Sequence, residues 1–77
     1  MDELLSYLAR ELVDHPDDVR VERAEREDGE LLFELHVHPE DVGKVIGKQG
    51  RIARALRTVV KASAVREGRR VHVEIAA

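Results

Sequence analysis

The sequence predicts an α+β domain, with three helices packed on one face of a three-stranded mixed sheet in the order α-β-β-α-α-β. Three observations support this prediction. The chain begins with an amphipathic helical segment. Two runs of alternating apolar and polar residues follow, joined by a turn that contains glycine. Two helical segments then precede a last alternating run. With 77 residues the chain suits one small domain with a thin core, residues 1–77.

The first helix is predicted over residues 2–14. Four apolar side chains share one of its faces: Leu4, Leu5, Leu8 and Leu12. Charged residues lie on the opposite face. Pro16 disfavours helical backbone at the residue before it, so we expect the helix to end there.

Two strands are predicted next, over residues 19–26 and 31–38, around the turn sequence EDGE. A two-residue turn would place Glu22 opposite Leu35, which puts a carboxylate on the core face. A three-residue loop that ends at the glycine gives two apolar pairs instead: Val21 with Leu35, and Val19 with Val37. The longer loop keeps the apolar side chains together, and we expect that register.

The second half begins with a short helix over residues 40–46, where proline and acids suit a first turn. A glycine loop separates it from a helix over residues 51–66, which Gly68 ends. We expect this helix to bury Ile52, Leu56, Val59 and Ser63. Further apolar residues, Val60, Ala64 and Val65, exceed what one core needs and hint at association. A last strand follows, with Val71, Val73 and Ile75 facing inward.

Charge is distributed very unevenly along the chain. The net charge is −3, but residues 1–41 carry 14 acids and four bases, whereas residues 42–77 carry nine bases and two acids. Arg54, Arg57 and Lys61 fall close together on one side of the long helix. A local positive field attracts polyanions even when the total charge is negative. A solvated helix face is the alternative reading of this stripe.

The loop sequence VIGKQGR suits a phosphate backbone. Gly47 and Gly50 have no Cβ atoms, so a ligand can approach the main chain closely. The N–H groups at the start of the next helix point outward with the positive end of its dipole. Lys48, Gln49 and Arg51 add donors at the same place. The alternative is a simple turn between helices with capping glycines.

The segment PEDVGKVIGKQGR, from Pro39 to Arg51, resembles the GxxG region of type II KH domains, whose element order is also αββααβ. In sequence, length and order the whole chain is similar to the small bacterial single-KH proteins of the KhpA type. The resemblance implies a cleft for about four unpaired nucleotides. Many KH domains have isoleucine three residues after the second glycine, where this chain has Ala53.

Carried over residue by residue, the resemblance gives each position a role. The backbone clamp is Gly47, Lys48, Gln49 and Gly50. The apolar floor beneath the bases is Val45 and Ile46, with Val42 or Ala53. The residues that reach phosphates are Arg51 and Arg54.

The function implied is a non-enzymatic single-stranded RNA-binding protein, an RNA chaperone or post-transcriptional regulator. No cofactor is implied. The resemblance also implies a homodimer, and as a further option a heterodimer with a larger KH-containing protein of the KhpB (Jag/EloR) type. Without cysteine, signal peptide or apolar span, the chain is expected in the cytoplasm, away from membranes. A protein-interaction module of KH shape and a ribosome-associated assembly factor are the alternatives.

Other function classes find little support. Tyr7 and Phe33 are the only aromatic residues, too few for the stacking platforms of RRM or OB-type domains. His36, His38 and His72 should lie on the exposed face of the sheet, but no cysteine or carboxylate pattern completes a known metal site. No nucleophile has an evident base beside it, so we expect no enzyme.

Overall fold

Helices and strands follow the predicted order along residues 1–76, the part of the chain that this computed structural model describes. The predicted end of the domain, residue 77, lies outside it. The elements are α1 (Asp2–Leu12), β1 (Arg20–Glu25), β2 (Leu31–His36), α2 (Val42–Ile46), α3 (Arg51–Arg66) and β3 (Val71–Ile75). Single 3-10 turns lie at Pro16–Asp18, Pro39–Asp41 and Lys48–Gly50. The predicted fold class is confirmed.

The three strands form one sheet with β2 in the centre. β1 pairs antiparallel to β2, and β3 pairs parallel to β2 after the crossover through α2 and α3. The sheet is therefore mixed, as predicted, and both β1 and β3 are edge strands.

The hairpin has the predicted three-residue loop. Val21 lies opposite Leu35, and the loop is closed by the Gly29 N–H, which donates to the Arg26 carbonyl at 2.9 Å. Gly29 has φ 87°, the left-handed backbone that this loop requires and glycine adopts without strain. The ladder ends where Arg20 faces His36, so the predicted pair of Val19 with Val37 falls just beyond it.

The core fills the space between the helices and one face of the sheet. The strands contribute Leu31, Phe33, Leu35, Val71 and Val73. The helices contribute Leu5 and Ala9 from α1, Val45 from α2, and Leu56, Val60 and Ala64 from α3. Burying a side chain of this size contributes about 1.5–3 kcal/mol, so this small set carries most of the stability.

The buried face of α3 differs from the prediction. Ala53, Leu56, Val60 and Ala64 are buried, whereas Val59 is 44% exposed, and Ile52 and Ser63 are only partly buried. The true face is rotated by about one residue because two alanines allow α3 to lie close to the sheet. Hydrophobicity alone favoured Ile52 over Ala53 and gave no basis for choosing between Val59 and Val60. Val60 and Ala64 thus belong to the core and give no hint of association.

The open face of the sheet carries polar side chains. His36 Nε2 lies 2.7 Å from Glu34 Oε1, and His72 Nε2 lies 3.2 Å from Glu74 Oε1, so both histidines lie where predicted. The prediction for His38 is wrong. Its ring stacks on His15 at 3.9 Å, because the chain leaves the sheet after His36.

Within residues 1–76, none of the helices combines the length and the apolar character that crossing a membrane requires.

Candidate nucleic-acid interface

The loop between α2 and α3 is a tight turn with three residues at positive φ. Gly47 has φ 75° and ψ 175°, a conformation almost restricted to glycine. Gln49 (φ 57°) and Gly50 (φ 72°) are both left-handed. The Gly50 N–H donates to the Gly47 carbonyl at 3.2 Å and closes the turn. The main chain is therefore held in a sharply bent shape with little side-chain cover.

The two glycines differ in what surrounds them. A Cβ atom on Gly47 would lie 2.6 Å from Cγ1 of Ile52, so its absence lets Ile52 pack back against the loop. A Cβ on Gly50 would meet no atom within 4 Å. Gly47 is thus required for internal packing, whereas Gly50 leaves a bare stretch of main chain open to a ligand.

The start of α3 is available to an anion. Its N-cap is Gly50, which has no side chain to accept hydrogen bonds from the first turn. The main-chain N–H groups there carry the positive end of the dipole of a 16-residue helix.

Exposed cations surround this loop. Lys48, Arg51 and Arg54 are exposed, as is Gln49, and Arg51 Nη2 lies 3.5 Å from Gln49 Oε1. None of the ion pairs within residues 1–76 involves these three cations. By contrast, carboxylates pair with five other bases: Arg20, Arg26, Lys44, Arg69 and Arg70. The structure therefore brings the predicted phosphate-binding side chains together at the loop and the first turn of α3, where none of the three cations is paired with a carboxylate of residues 1–76.

The predicted apolar floor divides into two layers. Val45 is fully buried in the core, and Ala53 is 5% exposed. Val42 and Ile46 are only partly buried. A base could contact Val42 and Ile46, whereas Val45 and Ala53 support the loop from beneath.

Asp41 lies just before α2 and holds the start of this helix in place. This role was missed in the sequence, where Asp41 was treated only as an acid at the start of a helix. Its side chain is buried and accepts two main-chain hydrogen bonds, from Asp14 N–H at 3.3 Å and His15 N–H at 2.9 Å. His15 Nδ1–H donates to the same carboxylate at 2.9 Å. Lys44 Nζ lies 3.6 Å from it and also pairs with Asp14. The segment after α1 is thereby tied to the helix that precedes the loop.

Ionisation of this cluster follows from its contacts. Burial opposes the charged form of Asp41, but hydrogen bonds from the His15 side chain and from the two N–H groups outweigh it and hold the pKa of Asp41 below its ordinary value. The hydrogen bond to Asp41 raises the pKa of His15. The hydrogen bond with Asp14 raises the pKa of Lys44.

Two groups of three metal-ligand side chains come together within the described residues, one being His15, His38 and Glu40, the other Glu22, Glu34 and His36. In the first group both histidines are already engaged, His15 with Asp41 and His38 with a main-chain N–H, and in the second group Glu22 is engaged. Glu40 N–H donates to His38 Nδ1 at 3.0 Å, and Arg20 Nη2 holds Glu22 Oε1 at 3.0 Å. Neither group presents a set of free, convergent ligands.

The chain resembles known proteins over nearly its full length. The family model described as the KH domain of KhpA/KhpB matches residues 2–75. The RNA-binding protein KhpA of Halalkalibacterium halodurans is 58% identical over 76 residues, covering 97% of each chain. The protein of the same name from Clostridium perfringens is 56% identical over 75 residues, covering 97% of this chain and 99% of its own.

A solved structure shares the fold at lower identity. The structure of Era in complex with MgGDPNP and nucleotides 1506–1542 of 16S ribosomal RNA matches 96% of this chain with a TM-score of 0.67 and 19% identity. The match spans 28% of the Era chain, so it supports the fold alone. With the element order, the glycine loop and the relatives in agreement, this chain belongs to the KhpA/KhpB family of KH domains and has the type II KH fold.

Proposed function

We propose that this chain binds single-stranded RNA by holding the sugar-phosphate backbone on the loop of residues 47–50. The observation that carries the proposal is the cluster at this loop of three exposed cations, Lys48, Arg51 and Arg54, beside the bare main chain of Gly50; none of the three joins an ion pair within residues 1–76. The naming of close relatives as RNA-binding proteins supports it. The biological role would be that of an RNA chaperone or post-transcriptional regulator in the cytoplasm, without enzymatic activity.

Each part of the interface has a role in this proposal. One phosphate binds to the bare main chain at Gly50 and to the N–H groups of the first turn of α3. The adjacent phosphates of the RNA backbone are neutralised by Lys48, Arg51 and Arg54. Gln49 supplies an amide donor. Unpaired bases lie over the exposed parts of Val42 and Ile46. Because only a few phosphates are neutralised, affinity for one domain should be modest and sensitive to salt.

Replacing Lys48 and Gln49 with aspartates, while keeping both glycines, tests the proposal. The Lys48→Asp/Gln49→Asp variant should fold and lose at least about tenfold in affinity for a single-stranded RNA, because two anions would face the phosphates. A matched control is Ser6→Asp/Arg10→Asp on α1, which changes the net charge by the same amount beside β1. The control should keep most of the affinity.

Two results would contradict the proposal. If both variants lose affinity equally, the effect is one of total charge and the loop is not the binding site. If RNA affinity is unchanged while association with a protein partner is lost, the chain is an interaction module of KH shape. Co-sedimentation with a ribosomal subunit would favour an assembly role instead.

We also propose that the chain self-associates, or pairs with a larger KhpB-type protein, through an apolar groove between α1 and α3. The groove encloses about 410 Å³ and is lined by Leu8, Leu12, Ile52 and Val59, among others. Leu12 is 38% exposed and Val59 is 44% exposed, which is unfavourable in a monomer. Val59→Glu should give a monomer in sedimentation, whereas Val65→Glu, outside the groove, should not. An unchanged oligomeric state in Val59→Glu would contradict this interface.

A further inference from the structure

The outer edge of β3 is open, because β3 lies at one side of the sheet. Its main chain bonds to β2 through alternate residues, and this pattern continues just past its end, where the Ala76 N–H donates to the Leu35 carbonyl at 2.9 Å. Main-chain groups of successive strand residues point to opposite edges. The N–H and carbonyl of Val73, three residues earlier, therefore point away from β2 and toward the open edge.

Arg57 of α3 occupies that edge. Its Nε–H donates to the Val73 carbonyl at 3.2 Å, in a partly buried position. The Val73 side chain is in the core, so the carbonyl is held in place. No ion pair within residues 1–76 involves Arg57, so the rest of its guanidinium is free to contact a phosphate.

The edge lies near the proposed phosphate clamp. Arg57 follows Gly50 by seven residues, two helical turns on the same side of α3 and about 10 Å along its axis. Both α2 and α3 contact β3. An RNA held by its backbone at the loop would therefore project bases along the start of α3 toward β3. We call this space, between residues 47–50, the first turns of α3 and the open edge of β3, the base groove.

We propose that Arg57 is a positioning residue that makes the base groove tolerant of different bases. The proposal rests on the proposed RNA-binding function. In the free protein, Arg57 satisfies the Val73 carbonyl. When a base offers its own N–H, Arg57 leaves the carbonyl and its guanidinium contacts a phosphate. When a base has no such donor, Arg57 stays, and the carbonyl keeps its partner.

Removing Arg57 should therefore sharpen discrimination between bases. A partly buried carbonyl without a donor is costly, so in an Arg57→Met variant only a base that donates to Val73 would bind well. Methionine suits an exposed helix position and should preserve the fold.

Two RNA hexamers test whether binding depends on an N–H donor of the base. One is built of adenosine, and the other of purine riboside, which lacks the amino group of adenine. For the unmodified protein, the two dissociation constants should agree within about threefold, and in Arg57→Met they should differ by at least about tenfold. Arg54→Met is the control, since it removes one exposed cation without touching the edge. It should weaken both hexamers alike. If Arg57→Met leaves the ratio of the two dissociation constants unchanged, the inference is overturned.

Spectra of the unmodified protein give a second readout. Adenosine hexamer should shift the Arg57 Nε–Hε signal and the Val73 carbonyl carbon, and the purine hexamer should leave both in place. If residues 47–50 respond to both hexamers while Arg57 responds to neither, or equally to both, the inference fails and the proposed function stands. If residues 47–50 do not respond at all, the proposed function fails and this inference with it.

Discussion

His15 and Asp41 are joined twice, through the main-chain N–H and through the imidazole Nδ1–H of His15, each 2.9 Å from the same carboxylate oxygen. Twenty-six residues separate them in sequence. The contact fastens the segment after α1 to the turn from which α2 begins, and α2 leads directly into the glycine loop. The position of the proposed phosphate clamp therefore depends on one buried carboxylate.

Asp41→Asn should destabilise the protein markedly. Asparagine keeps the shape but replaces one acceptor oxygen with an NH₂ group that faces donors, and it removes the charge that Lys44 contacts. We expect the melting temperature to fall by about 10 °C. Asp14→Asn is the control, because the Asp14 side chain is 71% exposed and, within residues 1–76, its polar contact is with Lys44. Equal melting temperatures for the two variants would contradict the role of Asp41.

The contribution of His15 to stability should depend on pH. The hydrogen bond to Asp41 raises the pKa of His15, and the charges of Asp41, Glu40 and Asp18 add to this, although desolvation opposes it. A raised pKa gives stability that is fully present below about pH 6.5 and lost as pH rises through the folded value. Asp41, whose pKa is lowered, contributes above about pH 4 and loses its contribution in acid.

The difference in melting temperature between the unmodified protein and His15→Gln should thus be largest near pH 5–6 and shrink toward pH 8. The ring of His38 stacks on His15 at 3.9 Å, so the same pH series in His38→Gln is needed to separate the contribution of this stacking from that of the His15–Asp41 hydrogen bond. A difference that stays constant from pH 5 to pH 8 would show that the charge of His15 has no part in it.

Three glycines should respond differently to alanine. Gly47→Ala should cost at least about 3 kcal/mol, because the backbone there is nearly restricted to glycine and the new Cβ would collide with Ile52. Gly50→Ala should cost only about 1 kcal/mol, since space is free and only the left-handed φ is unfavourable. Gly43→Ala, inside α2 with open space around it, should stabilise by roughly 0.5–1 kcal/mol. Denaturant unfolding of the three variants measures this order, and any other order contradicts the loop geometry.

The rotated face of α3 can be tested with two neighbouring valines. Val60 is fully buried, so Val60→Ala should cost about 2 kcal/mol, whereas Val59→Ala should change the free energy of unfolding by less than about 0.5 kcal/mol. Both unfolding curves should be recorded at a concentration low enough to keep the protein monomeric. Equal costs would contradict the rotated face, and a larger cost for Val59→Ala would support the pattern read from the sequence.

The sequence predicts most of the backbone because its signals there are local. The alternation of apolar and polar residues predicts the strand β2. Glycine at the hairpin predicts the turn, and the glycines on either side of Lys48 predict the loop between the helices. The errors come from tertiary contacts. Nothing near Asp41 in the sequence reveals that it will meet His15, and the alanines of α3 look weaker than Val59 until the sheet lies beneath them. Likewise, the hydrogen bond from Arg57 to the Val73 carbonyl forms because β3 is an edge strand of the sheet, and no local pattern in the sequence shows which strand lies at the edge.

The most direct test of the central claim is a titration of ¹⁵N-labelled protein with a short single-stranded RNA, followed by amide spectra. We predict the largest shifts at residues 47–50 and at Arg51, with small changes on the open face of the sheet around Glu34. Shifts that spare the loop, or that centre on the sheet, would contradict the account.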